Sequence, residues 1–78
     1  MSQILYFTAP WCGPCKLLKP QLSKLTVPYK TINIDNDMQT AKQYNVKSIP
    51  CFLKVDTSGQ EISRLVGANV TIANIQKL

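Results

Sequence analysis

The sequence predicts an α/β domain with the element order β-α-β-α-β-β-α, a four-stranded mixed sheet flanked by three helices. Three observations carry this. Short apolar runs rich in β-branched and aromatic residues alternate with stretches of helical periodicity, the arrangement that places helices on the faces of a sheet. The last two strand-like runs are separated only by a turn, so they form an antiparallel hairpin. The chain has 78 residues, enough for one domain (1–78) around a single thin core.

Gln3 to Thr8 reads as a strand buried on both faces and ends at Ala9-Pro10. From Gly13 the pattern turns helical, with Leu17, Leu18, Leu22 and Leu25 recurring at helical spacing among Lys16, Lys19 and Lys24. Pro14 falls in the first turn, where a missing N–H does little harm. Pro20 lies inside the pattern and should kink or split the helix. Tyr29 to Ile34 is a second strand, and Asp35-Asn36-Asp37 offers caps for a helix from about Met38 to Tyr44. Asn45 suits a left-handed terminator. Cys51 to about Asp56 is the third strand. Thr57-Ser58-Gly59 turns into a fourth, Gln60 to Val66, which Gly67 breaks. Asn69 is the expected cap of a final helix, Val70 to Leu78, with Ile72 and Ile75 inward. Strands separated by helices imply right-handed parallel crossovers.

Nine Lys and Arg against four Asp and Glu give a net charge of +5. The basic residues are scattered rather than clustered, and aromatics are 8% of the chain with no stacking stripe, so no nucleic-acid partner is expected. No apolar run approaches the ~18 residues of a membrane span. The N-terminal stretch lacks a basic leader and a long enough apolar core for a signal peptide. A monomer in the reducing cytoplasm is the expectation, which makes the three cysteines informative.

Two of them lie in Trp11-Cys12-Gly13-Pro14-Cys15-Lys16, where the first strand hands over to the first helix. Cys12 at the helix start would meet unpaired backbone N–H groups that stabilise a thiolate. Cys15, one turn on, lies on the same face and within reach for a small disulfide ring. Such a pair can attack a substrate disulfide through Cys12 and resolve the mixed disulfide through Cys15. Trp11 would provide an apolar platform beside the sulfur. Zinc needs about four ligands, but there is no His and no second Cys-x-x-Cys, so no metal is expected. A purely structural disulfide suits neither the compartment nor the tight ring.

This segment resembles the active-site signature of the thioredoxin family. The likeness extends along the chain from about Ile4. Pro20 matches the family's helix-kinking proline, Asn33-Ile34-Asp35 the end of its next strand, and Ser48-Ile49-Pro50 its cis-proline loop. Gly59 matches a hairpin glycine, and Val66-Gly67-Ala68 the segment bordering the substrate groove. The resemblance implies a minimal thioredoxin fold and a protein-disulfide reductase. Its redox-active disulfide would be Cys12–Cys15, with no bound cofactor. It also implies a shallow groove rimmed by Trp11, Gly13, Pro14, Ile49, Pro50, Gly67 and Ala68. Disulfide-containing proteins would be the substrates and a thioredoxin reductase the electron donor.

The sequence departs from the family pattern in three places. It opens directly on the strand leading to the cysteines, without the family's N-terminal strand and helix, so its size and order approach glutaredoxin. Tyr6 stands where the family has a buried Asp, and Thr31 where many members carry that Asp's Lys partner; a buried phenol is a poor base near neutral pH. Cys51 follows Pro50 where Thr is common. It reads either as a buried, inert thiol or as one close enough to the pair to form a regulatory disulfide. Tyr6, Lys16 and Cys51 are the expected modulators. A glutathione-dependent reductase is the alternative, although Gly67-Ala68-Asn69 lacks the second Gly and the acid usual in glutaredoxins. A non-catalytic binding subunit with a thioredoxin-type surface is another.

Overall fold

The computed structural model describes residues 2–67 and 69–78. Its strands are β1 (Gln3–Thr8), β2 (Tyr29–Asn33), β3 (Cys51–Val55) and β4 (Glu61–Val66). Its helices are α1 (Gly13–Leu18), α2 (Met38–Gln43) and α3 (Ile72–Gln76). A 3₁₀ segment, Lys19–Lys24, continues α1 with Pro20 at its start, so the proline converts the helix rather than ending it.

The sheet order is β2-β1-β3-β4. β1 and β2 are parallel, while β1/β3 and β3/β4 are antiparallel. The sheet is mixed, as expected, but β3 does not follow β2 by a parallel crossover. The six residues of α2 rise only about 9 Å. The chain therefore re-enters the sheet at the end it left, which reverses β3.

Central β1 alternates into both layers. Ile4 and Tyr6 join one core with Cys12, Cys15, Leu18, Leu22, Phe52 and Ile75, beneath α1 and α3. Leu5 and Phe7 join another with Ile32, Ala41, Cys51, Leu53 and Val55, beneath α2. Each fully buried apolar side chain contributes about 1.5–3 kcal/mol. Leu17 does not share in this, being 75% exposed. Cys15 and Leu18 set the buried face of α1, and at about 100° per residue Leu17 then falls on the solvent side.

Asn45 terminates α2 in the left-handed region (φ 56°). The β3–β4 turn is built on Asp56, whose Oδ1 accepts from the N–H groups of Ser58 and Gln60, with Gly59 at φ 86°. The last helix differs from expectation. Its cap is Thr71, whose Oγ1 accepts the N–H of Asn74 at 3.2 Å, and not Asn69. Starting it at Ile72 puts Ile75 in the core. Among the described residues no helix is long and apolar enough to cross a membrane.

Candidate active site

The strand register brings three loops to one end of the sheet. Phe7 pairs with Cys51, and Cys51 with Val66. The loop leaving Thr8, the Ile49-Pro50 segment entering β3 and Gly67 leaving β4 therefore emerge side by side. Gly67 N–H donates to Pro50 O at 3.0 Å, which ties two of them together. Gly67 has φ 111°, a conformation that needs glycine. The Ile49–Pro50 bond is cis, as the resemblance implies.

On the third loop, Cys12 N–H donates to Ala9 O at 3.1 Å and turns the chain into α1. Cys12 is the N-cap, with extended backbone, and its Sγ accepts the N–H of Cys15 at 3.2 Å. That N–H is one of the donors a helix start leaves unpaired, and it would support negative charge on the sulfur. Pro14 occupies the first turn at no hydrogen-bonding cost.

Cys12 and Cys15 are joined by a disulfide, with Cα atoms 5.3 Å apart. Both residues are nearly enclosed, at 4% and 2% exposure. In this oxidised form the ring holds Cys12 against Cys15 in the same core layer, and neither sulfur-bearing residue is open to solvent.

Trp11 is 65% exposed, and its indole N–H donates to the Asp35 carboxylate (3.1 Å to Oδ2). Asp35 is fixed in turn by its own N–H on Asn33 Oδ1 at 2.9 Å. In the sequence Asp35 reads as part of a strand end and as one of three cap candidates for α2, of which Asp37 is the cap used. Its signal was that β2 ends beside β1, at the end from which the cysteine loop departs.

Tyr6 is buried below the pair and stacks on Phe52. Its hydroxyl points to Cys15 O at 3.5 Å, the outer limit of a hydrogen bond. Thr31 is opposite Tyr6 in the ladder and exposed. Lys16 is exposed in the last turn of α1.

Cys51 is a free thiol, completely buried in the α2-side core. The sheet stands between it and the cysteine pair, which rules against the regulatory-disulfide reading. Burial pushes its thiol pKa up, opposed in part by the nearby Arg64.

Of the other expected rim residues, Gly13 and Pro14 are exposed, Ile49 is half-buried against the cysteine-side core and Pro50 is buried. Ala68 lies outside the described residues. Sequence reasoning missed an open groove of about 440 Å³ between α1 and the segment before α3, lined by Pro14, Leu17, Leu18, Gln21, Val70 and Thr71 among others. Among the described residues no cluster of His, Cys, Asp or Glu is placed to hold a metal ion.

The whole chain, residues 1–78, matches the Thioredoxin family model. It is 39% identical over 71 residues to thioredoxin of Haemophilus influenzae, covering 83% of this chain and 65% of that protein. It is 36% identical over 70 residues to the H-type thioredoxin of Fagopyrum esculentum, covering 83% and 60%. The chain thus spans less than two thirds of the length of either curated relative. The fold is similar to that of oxidised mitochondrial thioredoxin 3 from Saccharomyces cerevisiae, with a TM-score of 0.83 and 32% identity over 97% of this chain and 74% of that one. A cysteine pair capping a helix beside a cis-proline loop and agreement along the whole chain lead to one conclusion: the chain belongs to the thioredoxin family.

Proposed function

We propose that the chain is a thiol–disulfide oxidoreductase that reduces protein disulfides. The observation that carries this reading is Cys12 at the open end of the sheet, its sulfur accepting the Cys15 N–H at 3.2 Å and bonded to the Cys15 sulfur. In the reduced protein the Cys12 thiolate attacks one sulfur of a substrate disulfide. The substrate's S–S bond breaks, and the other sulfur leaves as a thiolate and takes up a proton. Cys15 then loses its proton and attacks Cys12, releasing the second substrate thiol. Two electrons pass to the substrate and leave the Cys12–Cys15 disulfide. The Tyr6 hydroxyl is directed to the Cys15 carbonyl oxygen, and water or the departing thiolate takes the proton that Cys15 loses.

Trp11, Gly13, Pro14, Ile49, Pro50 and Gly67 are the residues we propose to border the substrate chain around Cys12. Membership of the family and the convergence of three loops support this. Electron transport from a thioredoxin reductase, in the cytoplasm and as a monomer, completes the reading; a dithiol must be re-reduced after each cycle, and a reducing compartment keeps Cys51 a thiol.

The test is trapping. With a disulfide-containing protein as substrate, Cys15→Ser should accumulate a covalent mixed disulfide visible by non-reducing electrophoresis, and Cys12→Ser should not. Equal trapping by both variants would remove the assignment of nucleophile. Reduction by the double serine variant would remove the redox reading.

A further inference from the structure

The groove between α1 and the segment before α3 shares only Pro14, between the two cysteines, with the substrate border described above. Its floor is Leu18 and Val70, which belong to the core that holds the disulfide. Its outer wall is Leu17, one turn beyond Pro14 on the same helix face. Leu17 is 75% exposed, the most exposed of the large apolar side chains among the described residues. Gln21 closes one end, with its Nε2 donating to Leu17 O at 3.4 Å. Thr71 Oγ1 is engaged in capping α3. Among the described residues no charged side chain lines the groove, and Lys16 and Lys19 are exposed on the same helical segment. An apolar occupant free of basic residues fits this surface.

We propose that this groove is a specificity subsite, receiving an apolar side chain two residues from the reacting cysteine of an extended substrate chain. The proposal rests on the reading of Cys12 as the nucleophile toward protein disulfides. The spacing follows from geometry. Leu17 lies five residues beyond Cys12, about 7.5 Å along the helix axis at ~1.5 Å per residue. An extended chain advances ~3.3 Å per residue and returns to the same face every second residue. Along the axis two extended residues, about 6.6 Å, nearly match this rise, so a chain entering at the Pro14 end brings to Leu17 the side chain two positions from the cysteine docked at Cys12. A side chain there leaves water against Leu17 and Val70, and the groove discriminates by apolar area rather than by hydrogen bonds.

The experiment uses pre-reduced protein and disulfide-linked dimers of a short peptide, with Leu or Ser placed two residues before or after the cysteine. The second-order rate constant of peptide-thiol release is the readout. On one of the two sides the Leu peptide should react about tenfold faster than the Ser peptide. Leu17→Ser should bring that ratio close to one, and Leu17→Met, which keeps the apolar bulk, should preserve it. The ratio is taken within each protein, so a general loss of activity does not imitate the effect. Equal rates for Leu and Ser peptides on both sides, or a ratio untouched by Leu17→Ser, overturn the subsite. Sedimentation that finds dimers dissolved by Leu17→Ser overturns it as well, giving the groove to a second copy. A wild-type protein inert toward every peptide and also toward a small aromatic disulfide fails at the level of the redox reading, and the subsite falls with it.

Discussion

The ring of Tyr6 lies flat on that of Phe52, with centroids 4.7 Å apart and planes 8° apart, in the layer that encloses the Cys12–Cys15 disulfide. The two residues are direct cross-strand partners on β1 and β3. The stack is the apolar counterpart of a buried acid: it fills the space below the pair without offering a base. Tyr6→Ala should cost about 3–5 kcal/mol in denaturant unfolding of the oxidised protein, the range for emptying an aromatic site. Tyr6→Phe should cost no more than about 1 kcal/mol, because the hydroxyl's contact with Cys15 O is at the limit of hydrogen bonding. A larger loss would mean that the hydroxyl, and not the ring, is what matters.

Cys51 should be chemically silent in the folded protein. It is fully buried and its thiol is held protonated by burial. After reduction at neutral pH, iodoacetamide should modify Cys12 first and leave Cys51 intact until denaturant is added, as read by peptide mass mapping. Peroxide sensitivity should be the same in Cys51→Ala as in the parent. Rapid labelling of Cys51 without denaturant would show that the α2-side core opens readily.

Asp35 holds the Trp11 indole at 3.1 Å on the open surface. Asp35→Ala should free the ring and lower its steady-state fluorescence anisotropy, with Trp11 as the single tryptophan reporter. Because the bond is exposed, stability should change by no more than about 1 kcal/mol. Unchanged anisotropy would mean that packing, not Asp35, orients the indole.

Three carboxylates, Asp56, Asp37 and Glu61, link stability to acid pH, Glu61 being held low chiefly by its hydrogen bonds from Arg64. The Asp56 carboxyl is held below the usual range, chiefly by the Ser58 hydroxyl and then by the Gln60 N–H. Asp37 is lowered in the same way by the Thr40 side chain and then its N–H. A folded pKa below the unfolded one gives stability that is present above about pH 4 and lost as pH falls through the folded value. The melting temperature should therefore fall as the pH drops below about 4. In Asp56→Ala that drop should be shallower, with a lower plateau at neutral pH. An identical pH profile would dissociate the turn from the acid response.

Much of this architecture was legible because local chemistry and tertiary packing agree. β1 and the β3–β4 turn followed from an apolar run and a Gly-bearing turn, and Asn45 from its tolerance of positive φ. The cysteine pair was legible from spacing and from its place between strand and helix. Other features were hidden where two local choices compete and packing decides. Asn69 and Thr71 are both good caps, and the folded chain uses Thr71, at the head of a helix that carries Ile75 into the core. Leu17 and Leu18 are equally apolar, and the phase set by Cys15 facing the core turns Leu17 outward. The groove could not be read at all, because its walls are brought together from residues some fifty positions apart.

The opposite facing of Cys51 and Phe52 on β3 has an electrochemical meaning. Three thiols could in principle be joined in three ways, and each would be a separate oxidised species with its own affinity for electrons. With a layer of backbone between Cys51 and the other two, one of those species is within reach. Charge and discharge then connect a single dithiol to a single ring, and no scrambled isomer accumulates to drain the cycle. Alternation along one strand, a matter of which way a side chain points, is what makes this molecule a clean two-electron couple.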